Sequence, residues 1–237
     1  MSKALNVLCL DTSTEACSVA VLCMTDKQHV VSDHFMLAPR EHTAKILPTV
    51  EKVLQQSGLK LPDIDVVAYG RGPGSFTGVR IGISIAQGLA YGIEKPMVGI
   101  STLQAMAQQA YKLQQATDVY AAIDARMGEV YFAHYQLENN LMALRNEEVV
   151  IKPAELLALQ LAVSKDAVLV GTGWAAYPEL TEYFNDALQL DIEFPSSKYM
   201  LDQVVSCVEN GSMVAPELAT PVYLRDKVTW KKLPGRE

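Results

Sequence analysis

The sequence predicts an α/β protein built as two stacked lobes with a cleft between them, and three observations carry that prediction. One pattern occurs twice: three meandering strands, a helix, a strand ending in Gly-x-Gly, and a further helix. Leu10-Asp11, a gap and Ser18-Val-Ala-Val21 match Ile123-Asp124, a gap and Glu129-Val-Tyr-Phe132, while Gly70-x-Gly72 matches Gly171-x-Gly173. The composition is globular, with 237 residues, 49% apolar and 20% charged, and a chain of this size buries roughly 70% of its extended surface. No apolar run reaches the roughly 18 residues of a membrane span, since Ile81 to Ile93 is interrupted by Ser84, Gln87 and glycines.

The elements follow in order. Leu5 to Asp11 is a short apolar run ending in a carboxylate, Ala16 to Met24 alternates, and His29 to Met36 is a third strand, joined by short loops as an antiparallel meander. From Glu41 to Gln56 the set Ile46, Leu47, Val50, Val53 and Leu54 has helical spacing and Gly58 stops it. Pro48 inside it predicts a kink or an irregular first turn. Ile64 to Gly70 is a buried strand, the loop Gly70 to Gly78 leads into a helix over Thr77 to Tyr91, and strand Met97 to Ile100 leads into helix Thr102 to Gln114. The second half repeats the scheme with strands at Val119–Asp124, Glu129–Gln136 and Arg145–Ile151, helix Pro153–Val163, strand Ala167–Val170 and helix Trp174–Phe184. A helix at Tyr199 to Asn210 and a tail complete the chain. The division expected is residues 1–100 as an N-terminal lobe and 101–237 as a C-terminal lobe with the tail.

Charge and cysteine usage narrow the function. A net charge of −7 excludes a uniform phosphate-binding surface, although not a local basic patch. Leu5 to Leu10 is too short for a signal peptide, so a cytoplasmic protein is expected. Cys9, Cys17, Cys23 and Cys207 lack Cys-x-x-Cys spacing and are read as free thiols. His29, His34, His42 and His134 form no His-x-x-x-His pair, so neither metal ligation nor a hydrolase motif is expected.

The candidate chemistry lies at strand ends. Asp11, with Thr12-Ser13-Thr14 after it, and Asp124 would face the cleft, where carboxylates hold metal-bound water and hydroxyls meet phosphates; equally, both carboxylates could cap the turns that follow them. The loop carrying Gly72, Gly74, Ser75 and Gly78, with Arg80 in the helix behind it, offers backbone amides to an anion or is simply a tight connection. It is neither a Walker A loop nor a dinucleotide fingerprint, because no Gly-Lys-Ser/Thr follows and Thr77 stands where the third glycine would be. In the next helix Gly78, Gly82, Ala86 and Ala90 form one small-residue row, and each interior glycine costs about 1 kcal/mol relative to alanine unless packing offsets it. The second surface covering that row is expected from another chain, with the protein's own sheet as the alternative. From Arg225 to Glu237 a small basic tail surrounds Trp230, with Lys227, Trp230, Lys231 and Lys232 as candidate contacts to an acidic surface and a solvated terminus as the alternative.

Taken together, Leu10-Asp-Thr-Ser-Thr-Glu-Ala-Cys-Ser-Val-Ala-Val21, Arg40-Glu-His-Thr43 with Ile46-Leu-Pro48, Tyr69 through Arg80, Ile123-Asp-Ala-Arg-Met-Gly-Glu-Val130 and Pro221-Val-Tyr-Leu-Arg225 resemble the TsaB (YeaZ) family of bacterial tRNA threonylcarbamoyladenosine biosynthesis proteins. The resemblance implies two RNase H-like lobes of the acetate and sugar kinase, Hsp70 and actin superfamily. It also implies a part in making N6-threonylcarbamoyladenosine at position 37 of tRNAs reading codons that begin with A. The catalytic relative in that pathway, TsaD, carries metal-binding histidines where this chain reads Gly99-Ile-Ser-Thr-Leu-Gln-Ala-Met106. A non-catalytic subunit supporting TsaD together with the ATPase TsaE is therefore expected, with tRNA contacted indirectly and no membrane partner. No metal or required cofactor is expected, only a degenerate nucleotide cleft with Asp11, Thr12, Gly72, Gly74, Ser75 and Arg80 as candidate contacts. The resemblance places the partner surface on the two helices bearing Ile46, Leu47, Val50, Leu54 and the 78, 82, 86, 90 row, a face that a homodimer would use in the absence of TsaD. An independent ATPase or kinase is the rival reading, and a metalloprotease is disfavoured by the missing histidine pair.

Overall fold

Alternation and short loops give the first 101 residues their sheet, and the computed structural model describes residues 4–26 and 28–225. Strands β1 (Leu5–Asp11), β2 (Ala16–Met24) and β3 (His29–Leu37) form the antiparallel meander, helix α1 (His42–Ser57) crosses over it, and β4 (Val66–Gly72), α2 (Phe76–Gly92) and β5 (Met97–Ser101) follow. The sheet order is β3-β2-β1-β4-β5, with β4 and β5 parallel to β1. Period-two alternation in β1 divides the packing. Leu8 and Leu10 join Val19, Val21, α1 and α2 on one face, while Val7 and Cys9 join Ala20, Val98 and Ile100 on the other.

Helix α3 (Thr102–Gln114) leads into the second sheet, made of β6 (Asp118–Asp124), β7 (Val130–Glu138), β8 (Leu141–Leu144), β9 (Val149–Ile151), β10 (Val168–Val170) and β11 (Leu188–Gln189). Its main path runs β11-β10-β6-β7-β8, so each sheet has its opening strand in the centre, flanked by its hairpin partner and by the strand after the first crossover helix. Helix α3 lies between the sheets: Leu103, Met106, Ala107 and Ala110 pack on the second, and Ala105 on the first. Short helices α4 (Pro153–Ala158), α5 (Gly173–Ala176) and α6 (Pro178–Tyr183) cover the far face of the second sheet over Tyr120, Phe132, Trp174 and Phe184. The chain then crosses back: a 3₁₀ turn at Ser197–Met200 and α7 (Leu201–Glu209) fill the open face of the first sheet, and Val214 bridges Met97.

Three local expectations need correction. The third strand of the second half is split, because Asn139 and Asn140 at positive φ turn β7 back into β8 and leave only Val149–Ile151 from the expected Arg145–Ile151 run. Helix Trp174–Phe184 breaks at Tyr177, which Pro178 forces out of the helical region at ψ 83°. The helix from Pro153 ends at Ala158 rather than Val163, with Gln160 at φ 48° just beyond it. For Pro48 the second of the two expected outcomes is found: α1 runs on through it, and the first turn is irregular, with both the Ala44 and Lys45 amides donating to the Glu41 carbonyl at 3.0 Å. No helix among the described residues is long and apolar enough to cross a membrane.

Candidate functional site

The parallel strands of both sheets end at one cavity of about 1120 Å³. Ser13, Thr14 and Glu15 after β1, and Gly74 to Thr77 at the head of α2, form one wall. Asp124 to Arg126 after β6 and Thr172 after β10 form the other, with Val222 to Arg225 across the mouth. Ligands commonly enter such an opening at the carboxyl ends of parallel strands.

Asp11 does not reach the cavity. It is 1% exposed, and its carboxylate accepts from the Ser13 amide at 3.0 Å and from the Ser13 hydroxyl at 2.9 Å. A side chain on Gly70 would collide with its Oδ2, so the strand must present a bare Cα there. Burial pushes the Asp11 carboxyl up to about 6, against the lowering effect of the Ser13 hydrogen bonds. Thr12 is equally buried and donates to the Gly78 carbonyl at 2.7 Å, tying β1 to the first turn of α2. Neither of these two residues lines the cavity, and each is hydrogen-bonded within the chain.

The glycine loop is similarly occupied. The Ser75 amide donates to the Ser13 carbonyl at 2.7 Å, and the Ser75 hydroxyl caps α2 by accepting from the Gly78 amide at 3.2 Å. Gly72, at φ 91°, is buried beneath Val222, whereas Gly74, Ser75 and Arg80 line the cavity. Arg80, like Arg126 and Arg225, brings a cationic side chain to the cavity. Its guanidinium stacks 3.3 Å from the Phe76 ring centroid and 4.8 Å from that of Tyr223. Asp124, the counterpart of Asp11, does line the cavity but is engaged: Arg126 Nη1 donates to it at 3.1 Å and the Tyr177 hydroxyl at 3.0 Å. Burial, and then that bond to Asp124, push the Tyr177 hydroxyl up to about 12.

The small-residue row expected to meet another chain meets this one. Gly78, Gly82, Ala86 and Ala90 are buried; a Cβ on Gly82 would stand 2.7 Å from Thr12 Oγ1, and one on Gly78 would collide with the Thr12 carbonyl. Ile46, Val50 and Leu54 are core residues of the same sheet face, and of the residues expected at the partner surface only Leu47, 46% exposed, is at the surface. The outward side of α2 carries Thr77, Arg80, Ser84, Gly88 and Tyr91, with Ile81 and Ile85 half-buried beside them. The tail residues Lys227, Trp230, Lys231 and Lys232 lie outside the described residues.

Sequence reasoning missed Phe76, Arg126 and Tyr223 at the cavity. Each lies within a motif that carries the family resemblance, but they come from three separate segments and nothing local brings them together. All four cysteines are free, and burial raises the Cys9 thiol and pushes that of Cys17 up to about 11, which removes nucleophilic character. Among the described residues no group of three or more His, Cys, Asp or Glu side chains could hold a metal ion.

Comparison with known proteins gives consistent relatives. The family model described as "TsaD: tRNA N6-adenosine threonylcarbamoyltransferase" matches residues 36–230. The tRNA threonylcarbamoyladenosine biosynthesis protein TsaB of Escherichia coli (strain K12) is 50% identical over 235 residues, 98% of this chain and 100% of that protein. Its namesake in Haemophilus influenzae (strain ATCC 51907 / DSM 11121 / KW20 / Rd) is 47% identical over 243 residues, covering 98% and 99%. The solved structure of YeaZ from Pseudomonas aeruginosa superposes with a TM-score of 0.79 at 38% identity, covering 93% of this chain and 100% of that one.

Proposed function

The chain belongs to the TsaB (YeaZ) family, and on that premise we propose that it is an accessory subunit, without catalysis of its own, in forming N6-threonylcarbamoyladenosine at position 37 of tRNAs that read codons beginning with A. It binds and supports TsaD, TsaE joins the assembly, and tRNA is contacted indirectly. The observation that carries this reading is end-to-end similarity to TsaB relatives combined with a cleft whose own groups are spoken for. Asp11, Thr12 and the Ser75 amide, which would meet metal or phosphate in an active kinase, are bonded within the chain. The stretch Gly99 to Met106, where the resemblance places metal-binding histidines in the transferase, is here the joint between β5 and α3, with Leu103, Ala105 and Met106 fully buried. That joint holds the sheets together and offers no ligand.

On this reading the two sheets are RNase H-like lobes of the acetate and sugar kinase, Hsp70 and actin superfamily, divided near residue 100, and the protein works in the cytoplasm with no cofactor of its own. TsaD docks on the outward sides of α1 and α2, around Leu47, Ile81, Ser84 and Gly88, and a homodimer uses the same side, so the two assemblies exclude one another. Purified components test the proposal. Threonylcarbamoyl transfer to tRNA is expected with TsaD, TsaE and this chain together, and none with this chain alone. Transfer by the isolated chain, or full transfer by TsaD and TsaE without it, would overturn the proposal; ATP turnover by the isolated chain would favour the kinase reading.

A further inference from the structure

The segment Thr220–Arg225 lies across the cleft mouth and is bonded to both sheets. On the first sheet, the Val222 amide donates to the Arg71 carbonyl at 2.8 Å, the Tyr69 hydroxyl donates to the Thr220 carbonyl at 3.4 Å, and the Tyr223 ring lies 5.7 Å from Phe76. On the second, Arg225 Nε donates to Glu129 at 2.9 Å, and its Nη2 bonds the same carboxylate and the Ala125 carbonyl, the latter at 3.1 Å. The Arg225 and Glu129 side chains are 19% and 26% exposed, so this charged fork is partly withdrawn from solvent, where such bonds are stronger than at an open surface. It grips a hairpin turn whose Arg126 and Met127 both adopt positive φ, a conformation that persists when its surroundings enforce it.

Arg71 anchors the strap a second way. While its carbonyl holds Val222, its guanidinium lies 3.6 Å from Glu148, whose side chain is 7% exposed and also accepts from the Tyr135 hydroxyl at 2.7 Å. A further tie at the cleft, Arg126 to Glu15 at 3.0 Å, is exposed on both sides and correspondingly weak.

We propose that Thr220–Arg225 is a strap that fixes the separation of the two sheets at the cleft, with Arg225 as its positioning residue on the second sheet and the Arg71 backbone as its fastening on the first. The cleft is thereby held at one opening, and the molecule presents itself as a rigid body to whichever partner binds.

Two readouts test it in the full-length protein. Spin labels on Lys60→Cys and Lys165→Cys, with Cys23 and Cys207 replaced by serine, report the separation of the sheets, and amide exchange reports the fastening at Val222. Arg225→Ala and Glu129→Ala are each expected to widen the distance distribution about twofold and to speed Val222 exchange at least tenfold, while Arg126→Ala leaves both near the parent values. Glu129→Ala alone decides if Arg225→Ala fails to fold. An unchanged distribution in the folded variants would overturn the proposal, as would equal broadening from Arg126→Ala, which would assign the separation to the exposed pair instead.

Discussion

The two sheets share one strand order but are covered differently. The first is overlaid by α1 and α2, of 16 and 17 residues, whose inward sides are aliphatic and whose outward sides stay exposed. The second is closed by helices of 6, 4 and 6 residues over an aromatic cluster in which Trp174 and Phe184 meet edge to face at 5.0 Å. Duplicated topology thus serves two purposes. The long helices leave a broad outer side exposed, with α2 drawn close to β1 through its small residues, whereas the short helices of the second sheet close over packed rings. The paired carboxylates differ in the same sense: Asp11 is sealed beneath Gly70, and Asp124 is drawn into the cleft wall by Arg126 and Tyr177.

The comparison breaks most severely at the aromatic cluster. Trp174 is 1% exposed and donates to the Val170 carbonyl at 2.9 Å, so Trp174→Ala is expected to cost about 3–5 kcal/mol in denaturant unfolding. A loss below about 1 kcal/mol would mean that the short helices do not depend on the cluster.

Asp11 comes next. Its folded-state value of about 6 lies above the 3.8 of the free carboxyl, so the folded protein holds the proton more tightly. The resulting stability is complete below about pH 4 and is lost as pH rises through about 6; at neutral pH the buried charge costs up to about 3 kcal/mol. Asp11→Asn should therefore raise the melting temperature at about pH 7.5, with the gain shrinking toward about pH 4. A gain independent of pH would show that the charge is not its source.

The two sides of α2 sharpen the comparison further. Gly82→Leu should destabilise the isolated chain by about 1–3 kcal/mol, because its Cβ enters the space of Thr12 and Leu10. A Cβ on Gly88 would meet no neighbouring atom within 4 Å, so Gly88→Leu should change stability by no more than about 1 kcal/mol, in the favourable direction. It should weaken association through the outer side of α2 at least tenfold. Melting curves and sedimentation on both variants separate the effects, and intact self-association and TsaD binding in Gly88→Leu would remove the interface from this helix.

Much of this architecture is legible in the sequence for a local reason. The apolar runs of β1 and β2 mark strands buried on both faces, and the 3.6-residue period of α1 records which face it buries, so those elements appear where the pattern places them. The internal repeat likewise records a duplicated strand order. Where two local signals compete, the stronger one is chemical: Pro178 and the Asn139-Asn140 pair override the helical and strand patterns around them.

The sequence by itself therefore determined the α/β class, the twofold scheme, the free thiols and the family. Which side of α2 faces home was settled only in three dimensions, because small residues at helical spacing permit close approach to any surface, and Thr12 supplies one from the protein's own β1. The fate of Asp11 was equally a tertiary matter, since a carboxylate at a strand end opens to a cleft or is sealed according to what the neighbouring strand places over it. So too was the crossing of the cleft by Arg225, whose partner Glu129 lies 96 residues away in the chain and shares with it no pattern that a local reading could detect.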